Sequence, residues 1–291
     1  MSRPTRKPGA GGGGAGAPRR RGGARPKRPG AMTARTADRH ALYEIAVQRP
    51  EVVVGFIAEL GEGMGRGPMR GLREDFCGTA NVASFWVADG LECEAVGVDL
   101  DPEVIEWAER RNRAGLGEAS GRLTLIEGDV MEAVNPWPGG SGADALAALN
   151  FSYCIYHDRA SLLGYLRRAY ENLEAGGLMV CDTFGGPESI RSSVDERHFS
   201  GFTYQWEQVG FDPLANRIDC RIHFRFPNGS TMRNAFCYDW RMWSIPELRE
   251  AMLEVGFVET GVYFEAEDGF IAEPADEELE AWVAYVAARK G

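Results

Sequence analysis

The sequence predicts an α/β protein: a mostly parallel sheet of seven strands with helices on both faces, plus an antiparallel β-insert late in the chain. Three observations carry this. Residues 72–101 hold a strand, a tight Cys77-Gly78-Thr79 turn, a helix and a second strand ending in Asp99. Strand-length apolar runs then alternate with helical periodicity up to Asp182, as right-handed crossovers in a parallel sheet require. Residues 203–243 break that rhythm with three long runs joined by turn sequences.

The elements follow in order. Leu42, Ile45 and Ala46 recur at helical spacing behind Asp38, a candidate N-cap. Pro50 ends or restarts that helix, and Val52–Leu60 continues as a second one, closed by the Gly-rich Gly61–Gly67 segment. Leu72–Asp75 is the first strand, Asn81–Asp89 the helix behind the turn, and Ala95–Val98 the second strand. Pro102 opens a helix running to about Arg113. Leu123–Glu127 is the third strand. Asp144–Leu149 is the fourth, apolar enough to be buried on both faces. Ala160–Leu173 is an amphipathic helix, and Leu178–Asp182 the fifth strand. The insert, about residues 200–243, comprises strands at Thr203–Val209, Ile218–Phe226 and Thr231–Trp243. Ser244 and Glu247 form a capping box for a helix ending at Gly256. Val258–Phe264 is a strand. Ala281–Ala288 is apolar on both parities and reads as the last strand, with a helix as the alternative.

The 291 residues are 44% hydrophobic, ample for one large α/β domain over residues 36–291. No apolar run reaches 18 residues, and the N-terminus lacks the apolar segment of a secretory signal. Six cysteines without a C-x-x-C pair fit a reducing compartment, so a cytoplasmic protein without a structural metal is expected. Charge is split. Residues 1–40 hold 11 Lys/Arg against one acid, a net +10, and the remaining 251 hold 21 against 42, a net −21. Residues 1–35 are low-complexity Gly/Arg/Pro sequence, expected to be disordered. Met32 offers an alternative start. The acidic body argues against a folded surface that tracks nucleic acid, and no membrane partner is expected.

The acids at the strand tips make the site. Glu74, Asp99, Asp129 and Asn150 all fall where ligands bind in open α/β sheets, at the carboxyl edge. The pattern Glu74-x-Phe76-x-Gly78-x-Ala80 resembles the first motif of class I S-adenosylmethionine-dependent methyltransferases, acid-x-Gly-x-Gly-x-Gly, with two of three glycines replaced. Leu173–Val180 resembles that family's L-x-x-G-G entry to strand five, and Trp243–Phe257 its late helix. The resemblance covers roughly residues 40–291, and the inserted strands are similar to those of small-molecule N-methyltransferases such as glycine/sarcosine and aminosugar enzymes.

The resemblance implies a Rossmann-like sheet, S-adenosyl-L-methionine as cofactor, and methyl transfer to an N or O nucleophile of a small molecule. It implies that Gly78 admits the methionine part of the cofactor, and that Glu74 lies near its amino group, with Asp75 able to exchange roles. Asp99, beside Leu100, would meet the ribose hydroxyls, and Asp129 with Val130 the adenine. The loop after strand four would face the transferring methyl. In that loop His157 is the candidate base and Tyr153, with Tyr156, a candidate pocket residue. A His capping a helix beside Asp158 is the competing reading. Trp206, Tyr238, Trp240 and Trp243 either line a cavity or form the insert's core. Two other functions stand beside this one: a methyltransferase of protein or RNA docking through the basic tail, and a non-catalytic binding protein of the same fold. A nicotinamide oxidoreductase is disfavoured by the absence of G-x-G-x-x-G.

Overall fold

A computed structural model describes residues 32–137, 141–266, 269–272 and 279–291. Five parallel strands form one side of its main sheet: β1 (Gly71–Asp75), β2 (Glu94–Asp99), β3 (Leu123–Glu127), β4 (Ala143–Ala148) and β5 (Leu173–Gly185). Three antiparallel strands extend it: β10 (Phe257–Ala266), β11 (Gly269–Ile271) and β12 (Trp282–Lys290). The order is β11-β10-β12-β5-β4-β1-β2-β3. The sheet has eight strands rather than seven, because β11 is only three residues long and carries no period of its own.

Both faces are covered. Alternate residues of β4, β5 and β12 pack against α2 (Pro50–Gly63) and α3 (Asn81–Asp89) on one side. Their neighbours pack against α5 (Arg159–Glu171) and α6 (Ile245–Val255) on the other. This settles residues 281–288. Tyr285 and Ala287 belong to one core and Val286 and Ala288 to the other, so a strand apolar on both parities is an interior strand, here paired with β5 and β10. Helix α4 (Pro102–Ala108), capped by Asp101, passes into a π-type turn over Glu109–Arg113. The capping box at Ser244 and Glu247 is present in full.

The insert is a separate four-stranded antiparallel sheet, β6 (Ser193–Phe199), β7 (Phe202–Asp212), β8 (Arg217–Arg225) and β9 (Thr231–Arg241), in sequential order. It has one strand more than expected and starts at residue 193 instead of about 200. The missed β6, Ser-Val-Asp-Glu-Arg-His-Phe, is an exposed edge strand whose charged residues mask any alternation. One face of this sheet packs Phe202, Tyr204, Ile222 and Phe224 against Leu42 and Ala46 of α1 (Arg39–Val47). Of the expected tail, residues 1–31 lie outside the described residues. Residues 33–36 form a turn whose Ala34 N–H donates to Ser230 Oγ at 3.0 Å, so ordered chain begins before residue 36. Among the described residues no helix is long and apolar enough to cross a membrane.

Arg73, in the middle of β1, is fully buried. Its Nε donates to Asp75 Oδ1 at 2.7 Å, and its Nη1 donates to Ala133 O and Asn135 Oδ1, each at 3.1 Å. Tyr165 Oη donates to the other Asp75 oxygen at 3.2 Å. Removing one partner strands a buried charge. We expect Asp75→Ala to lower unfolding stability by about 3–5 kcal/mol, and the double replacement Arg73→Met/Asp75→Leu to cost less, as read from denaturant midpoints.

Candidate functional site: a cavity at the carboxyl edge of the sheet

The turn between β1 and α3 has an unusual backbone. Phe76, Gly78 and Ala80 all adopt left-handed conformations, with φ of 56°, 53° and 54°. These are the three positions where the acid-x-Gly-x-Gly-x-Gly pattern places glycine. The geometry of a triple-glycine turn is therefore kept although two glycines are gone. A non-glycine residue held there costs about 1–2 kcal/mol. The Phe76 ring offsets its share by packing on Tyr165 and Tyr156, with centroids 5.4 and 6.3 Å away. Ala80 is completely buried. The turn is anchored by Cys77 N–H donating to Val98 O at 2.9 Å and by Ala83 N–H donating to Glu74 Oε2 at 2.8 Å.

Above the turn lies a cavity of about 470 Å³. Its floor is Phe76–Thr79, with Asp99 on one side and Asn150 on another. Its roof comes from His40 and Tyr43 of α1 and from Asn234–Tyr238 of β9. Asp99 is fixed from both sides, Oδ2 accepting from Gly78 N–H at 2.8 Å and Oδ1 from Asp101 N–H at 3.0 Å. A carboxylate offers about four acceptor positions, so Asp99 keeps capacity for two ligand hydroxyls. A Cβ added at Gly78 would meet no atom within 4 Å, so this backbone faces open space. The Thr79 hydroxyl is buried and has no hydrogen-bond partner among the described residues. An acid and an uncovered backbone at one sheet edge suit a nucleoside-bearing ligand.

A second cavity, of about 550 Å³, shares Gln48 and Asn150 with the first. A third, of about 560 Å³, shares Phe151, Glu265 and Val283 with the second and is lined by Trp206 and Trp282. Arg49 and Glu265 form an ion pair at the second cavity.

Of the expected site residues, Gly78, Asp99 and Asn150 meet at the first cavity. Glu74 stands just behind it, buried against the start of α3. Asp75 does not exchange roles with Glu74. Strand alternation turns it to the opposite core, where Arg73 and Tyr165 hold it. Leu100 is 70% exposed beside Asp99. Asp129 is exposed at the β3 tip and accepts from Met131 N–H, while Val130 is buried in the core. None of these three lines the cavity. Tyr153 and His157 are not brought to it either. A 3₁₀ turn at Ser152–Ile155 sends the chain away. Tyr153 is buried and donates to Asp182 O at 2.8 Å, and His157 Nε2 lies 2.8 Å from Asp239 O of β9. Asp158 caps α5 through Ser161 N–H. Of the four insert aromatics, Trp240 and Trp243 are core, whereas Tyr238 lines the first cavity and Trp206 the third.

Of the roof, the sequence pointed to Tyr238 alone. Asn234 has φ 50°, and its N–H donates to His223 Nδ1 at 2.8 Å. With Nδ1 accepting, His223 Nε2 carries the proton and donates to Glu207 Oε2 at 2.8 Å. That chain of bonds sets an irregular β8–β9 register and turns Asn234–Tyr238 over the site. Asp182 was missed too, although an acid inside the apolar run Leu178–Phe184 is a readable signal.

The sheet order, the strand-tip acid and the glycine turn together define the class I S-adenosylmethionine-dependent methyltransferase fold. Solved structures of that fold superpose on the chain. An S-adenosylmethionine-dependent methyltransferase from Clostridium acetobutylicum has a TM-score of 0.64 at 16% identity, covering 86% of this chain and 97% of its own. The CcbJ methyltransferase of Streptomyces caelestis has a TM-score of 0.64 at 18% identity, covering 84% and 98%. CalS10 from Micromonospora echinaspora, an amino pentose methyltransferase solved with S-adenosylmethionine bound, has 0.60 at 16%, covering 86% and 95%. No protein-family model matches the sequence, and comparison with curated proteins finds no match.

Burial pushes the Glu74 carboxyl up to about 8, with Asp99 and Glu44 adding to the rise, and pushes Asp182 up to about 7. Glu74 therefore holds a proton in the folded protein across pH values where the unfolded chain has lost it. The native state binds the extra proton, so stability falls as pH rises from about 4.5 towards 8. We expect the melting temperature to decline over this window, and to decline less in Glu74→Gln, by calorimetry at pH 5, 6.5 and 8.

Proposed function

We propose that the protein is an S-adenosyl-L-methionine-dependent methyltransferase that transfers a methyl group to an N or O nucleophile of a small molecule. One observation carries this reading: a left-handed glycine whose N–H donates to the acid ending β2, beside open space, at the carboxyl edge of a parallel sheet. Amino pentose methylation by CalS10 supports a small-molecule acceptor. So do the adjoining cavities, which are enclosed by the insert and lined by aromatic side chains.

When bound, the cofactor supplies an electrophilic methyl group on a sulfonium. The chain's own residues bind and orient. Asp99 would take the ribose hydroxyls on its remaining lone pairs. Gly78 would let the methionine part lie against the turn. Glu74 would act through the turn it anchors. Leu100 and Asp129, at the neighbouring tips of β2 and β3, are proposed for the adenine end. Displacement in line needs alignment above all, and holding both reactants in register can supply roughly 7–11 kcal/mol. The second and third cavities are the proposed acceptor site. With Tyr153 and His157 committed elsewhere, no base from the β4–α5 loop is assigned. A cytoplasmic location is proposed from the six free thiols.

Calorimetric titration with S-adenosylhomocysteine tests the reading. Wild-type protein should bind it, and Asp99→Ala should bind at least about tenfold more weakly, because hydrogen bonds to a charged acceptor contribute about 1.5–3 kcal/mol. Equal affinity in a folded Asp99→Ala protein would remove the ribose assignment. His157→Ala should leave that affinity unchanged, since its ring bonds β9 backbone outside the cavity.

A further inference from the structure

The residues after β4 form a partition. Asn150 and Phe151 are consecutive non-glycine residues in left-handed conformation, with φ of 56° and 58°. Asn150 lines the first and second cavities and so stands between them. Phe151 lines the second and third, with its ring 4.7 Å from Phe184 and 5.6 Å from Trp240. Two adjacent left-handed residues do not hold themselves in place. Here one side chain holds both. Asp182 Oδ2 accepts from Asn150 N–H, and Oδ1 accepts from Phe151 N–H, each at 2.8 Å. The same residue's carbonyl accepts from Tyr153 Oη, which closes the turn that follows.

Asp182 is 4% exposed and sits on β5, between β4 and β12 in the sheet. It has no cation partner among the described ion pairs, so its carboxylate is satisfied chiefly by the two backbone donors it grips. A buried acid without a counter-ion is costly. An apolar residue would fill an interior strand more cheaply, and the flanking residues Met179, Val180 and Cys181 are buried and apolar. The acid's return is a fixed wall.

We propose that Asp182 is the positioning residue of the transfer, clamping Asn150–Phe151 as the partition between the cofactor cavity and the acceptor cavity. This rests on the methyltransferase reading for its function, and on the two hydrogen bonds alone for its mechanism. Asp182 itself lines the second cavity, but both of its carboxylate oxygens are taken by the two backbone donors. It acts through the two residues it holds. An amide in its place can accept one N–H but turns its own donors towards the other. Alanine accepts neither.

The test is amide hydrogen exchange across residues 147–153, read together with S-adenosylhomocysteine titration well below the melting temperature. In Asp182→Asn and Asp182→Ala, exchange at Asn150 and Phe151 should quicken at least tenfold while exchange in β1 and β2 holds. S-adenosylhomocysteine affinity should fall about tenfold if the gripped geometry is then held one tenth of the time. A merely structural acid would lower the melting temperature and leave the affinity of the folded molecules alone. Unchanged local exchange, or unchanged affinity, overturns the proposal. If neither variant folds, wild-type protein decides: the Asn150 and Phe151 amides should exchange as slowly as those of Ala147 and Ala148, and surface-loop rates there overturn the clamp. Wild-type protein that fails to bind S-adenosylhomocysteine overturns the functional reading instead, and the exchange arm still tests whether Asp182 holds the partition.

Discussion

The candidate site depends on a turn of backbone that the local sequence resists. Three left-handed residues within five, only one of them glycine, must be held between β1 and α3. Neighbours supply the hold. Val98 O and the Asp99 carboxylate take the Cys77 and Gly78 amides, Glu74 takes the Ala83 amide, and two tyrosines receive the Phe76 ring. Cys77 in turn dictates its neighbour on β2. A Cβ at Gly97 would approach Cys77 Sγ to 2.9 Å, so the second strand is bare where the turn leans on it. Strain in the turn and packing around it are therefore one arrangement. The same solution recurs at Asn150–Phe151, where a carboxylate replaces the neighbouring strand as the acceptor.

Much of the main sheet is written in periodicity. Parallel strands buried on both faces lose alternation, and their apolar runs at 95–98, 145–149 and 178–181 stand out for that reason. Capping residues at Asp38 and Ser244 marked their helices correctly because their side chains answer a purely local need, accepting from first-turn N–H groups. What stayed hidden depends on distant partners. Strand β5 runs through Gly176 and Gly177, which look like a break, because Ala143 and Ala145 pair on either side of an irregularity. The assignment of Glu74 over Asp75 is a question of parity that an acid pair leaves open. Tyr153 and His157 lie away from the first cavity because a 3₁₀ turn follows two left-handed residues, and nothing in Asn-Phe-Ser-Tyr announces that turn.

The insert changes what the sheet edge can do. An open α/β sheet offers a crevice. Here β9 and α1 roof it, and the sheet holding β7 contributes Trp206 to the adjoining cavity. The roof is held both by a core, in which Leu42 and Ala46 of α1 pack on β7 and β8, and by polar contacts: Trp107 Nε1 donates to Asp38 Oδ2 at 2.7 Å, and Asn112 Nδ2 to Glu44 Oε1 at 2.7 Å, joining α1 to the α4 region.

Strand β12 has a consequence for how the chain is made. It lies between β5 and β10, both of which are synthesised before it. Until residues 282–290 leave the ribosome, those two strands each present a bare row of amide and carbonyl groups with no native partner. A nascent chain stalled at that point carries two sticky edges facing a slot of one strand's width. Any peptide of suitable alternation, including the same segment from a neighbouring chain on the message, fits that slot. The late arrival of an interior strand leaves the chain open to exchange with its copies until residues 282–290 have paired.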